Sequence, residues 1–359
     1  MTKLKKKVCV VFGGVSPEHD ISERSVTSII NNLDKEKYII YPLGITKSGE
    51  WYLYNGKTEN IIGGGWMTDK ENLKRAIISP DASHKGIIDL EDNKIIDIDI
   101  VFPVLHGECG EDGTIQGLFE LAGLKYVGMG VLASANSMDK AYTKIVLDSA
   151  GIPQADWIVA KAWEFDKIEE TMDLAEEKFG YPCFVKPANT GSSVGVFKAH
   201  NRAELKKALF DAAEFDRKIL IEEFIDGHEV ECSILGNEDP KAGEVGEIIP
   251  TVEFYDFDAK YSADSTTMLQ IPAKIPQDLR EKVREYAVAA FKALGGAGLS
   301  RVDFFIKHKD NSIVLNEINT LPGFTSISMY PKLWQAMGVE YSELLDELIE
   351  LGLKRVRKQ

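Results

Sequence analysis

An α/β architecture that gives way to α+β modules is predicted by three features of this chain. The first is a strand, loop, helix, strand order near the start, KKVCVVFGG, VSPEHD, ISERSVTSIINNLDK and YIIYPLGI, which makes a parallel sheet. The second is a repeat of that order later: the strand IIDIDIVFPVLHG, the glycine-rich loop GECGEDG, the helix TIQGLFELAG closed by Gly123, and the strand KYVGMG. The third is RVDFFIKHKDNSIVLNEIN, residues 301–319, where two runs rich in β-branched and aromatic residues flank a turn. A length of 359 residues allows two or three domains, each with a sizeable core.

The elements between these follow in order. ITKSGEWYLYNGKTENI alternates and contains Asn55-Gly56, a strong hairpin-turn signal, within an insertion at about 46–95. Its GKT is not a phosphate-binding loop, because the leading glycine that motif requires is replaced by Trp51. GGVSPE likewise does not match GxGxxG, so a dinucleotide fold is unsupported. SMDKAYTKIVLDSAGIP is predicted as one helix ending at Gly151, with a domain boundary near 137. A small α+β module follows: helix WEFDKIEETMDLAEEKF, strand YPCFVKP, loop and strand ANTGSSVGVFKAH, helix RAELKKALFDAAEF, and two strands around a turn in KILIEEFIDGHEVECSILG. A third region holds further strands, the polar segment EFYDFDAKYSADSTTMLQ, helix PQDLREKVREYAVAAFKALG, the 301–319 hairpin, and a last helix VEYSELLDELIELGLKRV. The domains expected are 1–137, 138–236 and 237–359.

Composition narrows function. A net charge of −15 argues against a nucleic-acid or anionic-membrane binder, so any phosphate site is a local exception. The start MTKLKKKVCVVFGG mimics a signal peptide, but VCVVF is too short and ends in glycines, so it is a first buried strand. No segment approaches the roughly 20 apolar residues of a membrane helix. Cys9, Cys109, Cys183 and Cys232 show no CxxC spacing and are expected to be reduced, in a cytoplasmic protein, with Cys109 alone in a loop.

The hairpin carries the most chemistry. Arg301 and Asp303 share one face of their strand, as do Glu317 and Asn319. Centred on Asp310 without a bulge, it would set Arg301 across from Asn319 and Asp303 across from Glu317. Paired carboxylates on an apolar sheet call for a cation, and hard oxygen ligands suit Mg²⁺ with phosphates alongside. The alternative is a surface hairpin with solvated charges.

Other segments stay open between two readings. Residues 187–196, PANTGSSVGV, form either a phosphate-cradling loop with Lys186 beside it or an ordinary turn. Glu222 and Glu229 are either acceptors for an adenine amino group and ribose hydroxyls or an exposed strand edge. Lys140 and Lys144 could face a ligand or solvent, and His106 and Glu18 stand where open α/β sheets bind ligands yet could be surface residues.

GGVSPEHDIS, LHGECGEDGTIQG, SMDK, VKPANTGSSVGV, IEEFIDGHEV, FYDFDAKY, SRVDFF and NEINTLPGFTSISMYP, spread over essentially the whole chain, resemble the D-alanine:D-alanine ligases of the ATP-grasp superfamily. The resemblance implies an α/β and α+β fold of three domains, the first with a parallel sheet, acting on ATP and two D-alanines in a cytoplasmic homodimer that contacts neither nucleic acid nor membrane. It implies two Mg²⁺ ions, with Mn²⁺ able to substitute, on Asp303, Glu317 and Asn319, Glu317 bridging. By the same resemblance Lys140, Lys186 and Ser193 hold phosphates, and Glu222, Glu223, Phe224 and Glu229 hold the nucleoside. Arg301 and the Gly323 backbone steady an oxyanion, while Glu18, Ser192 and Tyr261 orient the first D-alanine with His106 nearby. Ser328, Met329 and Lys260 attend the second, Lys260 also counting with the cofactor set. FYDFDAKYSADSTT and the Ser192 loop are then candidates for a lid. DAKY and SMYPKLW favour D-alanine as acceptor; a resistance-type ligase using D-serine, or less readily D-lactate, is the alternative, and from another class a two-lobed binding protein that would not need the hairpin set.

Overall fold

The computed structural model describes residues 4–249, 268–325 and 327–355. Lys260, Tyr261 and the polar segment around them therefore lie outside the described residues. The first of three sheets takes β1 (Lys6–Gly13), β2 (Tyr38–Ile45), β3 (Trp51–Tyr54), β4 (Leu73–Ile78), β5 (Gly86–Asp89), β6 (Lys94–Asp97) and β7 (Ile100–Val104), in the order β6-β5-β4-β3-β2-β1-β7. Its parallel part is β2-β1-β7, and the insertion adds β3 to β6 as antiparallel strands beyond β2. The parallel sheet expected of this domain is thus a three-stranded core with an antiparallel extension.

The second sheet contains β8 (Trp157–Lys161), β9 (Cys183–Pro187), β10 (Phe197–Ala199) and β11 (Lys218–Glu223). The third contains β12 (Gly227–Gly236), β13 (Lys241–Ile249), β14 (Met268–Gln270), β15 (Gly298–Lys307) and β16 (Ile313–Asn319), all antiparallel, in the order β14-β13-β12-β15-β16. The two strands read around one turn in KILIEEFIDGHEVECSILG therefore part company: β11 lies between β9 and β8 in the second sheet, order β10-β9-β11-β8, and β12 lies in the middle of the third.

Helices α1 (His19–Asn32), α2 (Thr114–Leu121), α3 (Val131–Met138), α4 (Lys140–Ser149), α5 (Ile168–Lys178), α6 (Arg202–Ala213), α7 (Gln277–Ala293), α8 (Met329–Gln335) and α9 (Tyr341–Lys354) cover these sheets. On one face of the first sheet Val8, Val10 and Phe12 pack with Ile29 of α1 and with Leu344 and Leu348 of α9, so the C-terminal helix folds back onto the N-terminal sheet. Phe119 of α2 packs with Cys9, Val11 and Val101 on the other face. Met172 of α5 and Leu205 and Leu209 of α6 cover Ile219 and Ile221 of the second sheet. Val283, Ala287 and Phe291 of α7 cover Val230, Cys232, Val302 and Phe304, which leaves the opposite face of the third sheet for Glu229, Glu231, Arg301 and Asp303 by strand alternation.

Several local expectations give way to packing. Neither Asn55 nor Gly56 has the positive φ that a two-residue hairpin turn requires, and the chain instead runs through short 3₁₀ turns from Thr58 to Asn72 before β4. Burial of Ile61 and Trp66 in that excursion outweighs the local turn preference. IIDIDIVFPV divides into β6 and β7, and KYVGMG contributes a single bridge between Tyr126 and Val101. The helix expected at SMDKAYTKIVLDSAG breaks at Asp139, whose extended backbone ends α3 and whose carboxylate accepts from the N–H groups of Ala141 and Tyr142 to start α4. The four cysteines are free, with Cys9, Cys183 and Cys232 buried and Cys109 exposed, as expected. No described helix is long and apolar enough to cross a membrane.

Candidate active site

The hairpin's register sets the site. Arg301 pairs with Asn319 and Asp303 with Glu317, as the sequence predicts. The assumption of no bulge fails: beyond Asp303 the pairs become Phe304 with Leu315 and Ile306 with Ile313, so Asn316 is an extra residue in β16. The turn is centred half a residue short of Asp310, and the bulge at Asn316 restores the predicted pairing. The guanidinium of Arg301 forks onto Asp303, Nε to Oδ1 at 2.8 Å and Nη2 to Oδ2 at 2.7 Å, and its Nε is 3.0 Å from Oε2 of Glu231. Burial works against the charge on Arg301, but Asp303, Glu231 and Glu317 outweigh it and hold the group well above its ordinary range, firmly cationic. Two carboxylates and an amide on one face are a donor set that fits a hard divalent cation.

This face lines a cavity of 960 Å³. Glu18, at the start of α1, and Ser192 meet across it, the serine hydroxyl donating to the carboxylate. Ser192 and Ser193 both sit in left-handed backbone, with φ of +50° and +61°, an uncommon pairing for two non-glycine residues. Lys140 reaches the same loop, its Nζ donating to the Thr190 carbonyl at 2.5 Å. His106 is buried, with Nδ1 3.1 Å from the Leu321 carbonyl and Nε2 3.4 Å from Ser25 Oγ; burial pushes its pKa down although the Glu18 carboxylate opposes this. Gly323 and Ser328 face the cavity side by side, and a Cβ at position 323 would come within 2.9 Å of the Ser328 hydroxyl. That hydroxyl accepts from the Thr325 N–H at 3.0 Å and fixes the turn into Met329, which also lines the cavity.

A charge cluster runs from the wall inward. Glu222 stands between Lys186, 2.7 Å from Oε2, and Lys144, 3.4 Å from Oε1, while Lys186 also approaches Asn316 Oδ1 at 3.4 Å. Burial alone would raise the Glu222 pKa, but Lys144, Lys186 and Lys140 hold it down at about 2. Glu229 is on the cavity wall. Glu223 and Phe224 are not: Glu223 pairs with Lys307 at 3.3 Å, and Phe224 lies 6.1 Å from Phe184 under Lys198. Ser193 also lies off that wall.

Sequence reasoning passed over two wall residues and left a third open. Glu231 is two residues after Glu229 on the same strand face, and that spacing could have found it. Glu111, the second acid after His106, accepts from the N–H groups of Gly107 at 2.7 Å and Leu321 at 3.3 Å. Burial, with the Glu18 charge adding to it, pushes the Glu111 carboxyl up, to about 8. Lys144, left open between ligand and solvent, is 2% exposed and faces the cavity.

Known proteins resemble this chain in sequence and fold. The family model described as D-ala D-ala ligase N-terminus matches residues 7–129, and that described as D-ala D-ala ligase C-terminus matches residues 146–350. A D-alanine--D-alanine ligase of Acetivibrio thermocellus is 52% identical over 98% of this chain and 96% of that protein, and one of a Thermoanaerobacter species is 53% identical over 98% and 97%. Among solved structures, the VanG D-Ala:D-Ser ligase from Enterococcus faecalis has a TM-score of 0.89 at 40% identity, over 97% of this chain and 100% of that one. The D-alanine-D-alanine ligase from Coxiella burnetii has a TM-score of 0.86 at 36% identity, over 98% and 96%. With both family models matched in order and full-length relatives above half identity, the chain belongs to the D-alanine–D-alanine ligase family.

Proposed function

We propose that this protein joins two D-alanine molecules into D-alanyl-D-alanine at the expense of ATP, for peptidoglycan precursor synthesis. One observation carries the site reading: Arg301, Asp303, Glu317 and Asn319 open onto the same cavity as the Glu18–Ser192 contact, so a phosphate-binding face and a substrate-orienting pair look at one space. ATP phosphorylates the carboxylate of the first D-alanine, and the amine of the second attacks the acyl phosphate and displaces phosphate. Glu18 and Ser192 orient the first D-alanine, with Tyr261 completing the set and His106 beside it. Lys140 and Lys186, with the Ser192–Ser193 loop, hold the ATP phosphates. Glu222, Glu223, Phe224 and Glu229 span the passage of the chain from second to third sheet and hold the nucleoside there.

Asp303, Glu317 and Asn319 would hold two Mg²⁺ ions, or Mn²⁺ in their place, which screen phosphate charge during transfer. Arg301, fixed between Asp303 and Glu231, and the Gly323 N–H steady the oxyanion of the tetrahedral intermediate. Ser328 and Met329 line the second-substrate end, and Lys260, outside the described residues, is given its part there by the family resemblance. The three sheets support the reading of three domains, 1–137, 138–236 and 237–359, with β12 pairing in the third sheet. The exposed apolar side chains of Leu121 and Leu132 support a homodimer through α2 and α3, and use of ATP together with four free cysteines supports a cytoplasmic location.

The likeness to a D-Ala:D-Ser ligase keeps one second reading, D-serine as acceptor. D-alanine, D-serine and D-lactate competing in one reaction at alkaline pH, with products read by mass spectrometry, separate the two. D-alanyl-D-alanine is expected to dominate; a majority of D-alanyl-D-serine would make this a resistance-type ligase.

A further inference from the structure

The insertion at 46–95 matched no catalytic motif, yet part of it folds over the helix that begins beside Glu18. Trp66 is fully buried with its indole against Gly44, where an added Cβ would fall 2.5 Å from the ring. Phe12 at 5.0 Å and Tyr54 at 6.4 Å meet that ring edge to face. Its Nε1 donates to Glu23 Oε1 at 2.7 Å, and the Gly64 N–H donates to Oε2 of the same carboxylate at 3.1 Å. Glu23, 1% exposed on α1, is also 3.3 Å from His19 Nε2, and His19 Nδ1 lies 2.8 Å from the Gly14 carbonyl. A carboxylate this deeply buried is stable only with such donors around it, so these bonds fix the first turn of α1 in rotation and height. Glu18 directly precedes His19, and its carbonyl accepts from the Ile21 and Ser22 N–H groups in that same turn.

The ligand atoms of His19, Asp20 and Glu23 lie within 4.8 Å of one another, but a metal ion is not needed to explain them. Asp20 pairs with Lys47 at 2.8 Å, and both Glu23 oxygens have donors. A separate observation brings the insertion to the site itself: Ile62, 49% exposed, lines the same cavity as Glu18, together with Ile21 and Arg24 of α1.

We propose that Trp66 and Gly64, acting through Glu23 and His19, are positioning residues for Glu18, so that the insertion sets the affinity for the first D-alanine. The inference rests on the reading of Glu18 given above. Trp66→Phe in the whole chain removes the indole N–H but also one ring of a buried side chain, so Glu23→Gln, which keeps the volume and changes only the carboxylate, is measured beside it. The first-site KM, taken from the D-alanine dependence at saturating ATP, should rise about 10-fold, in the range set by loss of one buried hydrogen bond. Both kcat and the ATP KM should stay within about 3-fold, since only substrate orientation is disturbed. In a Glu18→Gln background Trp66→Phe should add no further effect, because both act through one carboxylate. A lowered melting temperature with an unchanged first-site KM would make the network purely structural and overturn the inference, as would an equal effect in the Glu18→Gln background. Glu23→Gln, taken through the same cycle, decides the matter if Trp66→Phe does not fold. If Glu18→Gln alone leaves the first-site KM unchanged, the reading of Glu18 fails and takes this inference with it. A normal Glu18→Gln effect with none from Trp66→Phe overturns the inference alone.

Discussion

Residue identity matters most on the hairpin, where the neighbours of each polar side chain limit what can replace it. Asp303 and Glu317 face each other across two strands, so Glu317→Gln is expected to abolish phosphate release while circular dichroism and melting remain near wild type. Near-wild-type turnover by that variant would remove the two-ion assignment. Asp303→Asn should be severe but milder, although it also loosens Arg301, which both Asp303 oxygens hold. Arg301→Lys keeps a charge but cannot span Asp303 and Glu231 with a planar fork, so kcat should fall at least about 100-fold with little change in ATP affinity. A changed ATP Kd with unchanged kcat would place Arg301 in ground-state binding. Residues of this kind were legible from alternation alone. Glu111 was not, because its partners are backbone N–H groups of Gly107 and of Leu321, some 200 positions apart in the chain.

At the scale of elements, strands and helices were readable where local pattern and burial agree, as in β1, α6 and α7. They were misread where burial decides between local options. Asn55-Gly56 has turn chemistry, but Trp66 further on has a buried place to fill against Gly44. The bulge at Asn316 leaves no mark in residue type, yet it brings Asn316 as well as Glu317 to the cavity and next to Lys186. Strand β11 gives a test by pH. The folded pKa of Glu222, about 2, lies below its ordinary 4.5, so its pairing with Lys144 and Lys186 stabilises the fold above 4.5 and is lost as pH falls toward 2. Glu222→Gln should therefore melt below wild type at pH 7, with the gap closing as both are acidified. A gap that stays constant down to pH 3 would show that the charge of Glu222 is not what the lysines hold.

For the whole molecule, α9 is the tie between the chain's end and its beginning, with Leu344, Leu345, Leu348 and Ile349 in one core with Val8 and Val10. Leu348→Ala should cost about 2–5 kcal/mol, as large-to-small changes in packed cores do, and appear as a lower melting temperature with kcat at 25 °C retained. Unchanged melting would mean that the two ends hold together by other contacts. The family, the kinds of module and the shared strand faces of Arg301 with Asp303 and of Glu317 with Asn319 were legible in the sequence, because ordered motifs and strand alternation are local properties, whereas their cross-strand pairing also needed the bulge at Asn316. Only the tertiary structure decided which strands share a sheet, that β12 belongs with β15, that Glu222 is clasped by two lysines, and that Trp66 reaches Glu23. Those facts depend on burial and charge compensation between segments far apart in the chain, which no local window contains.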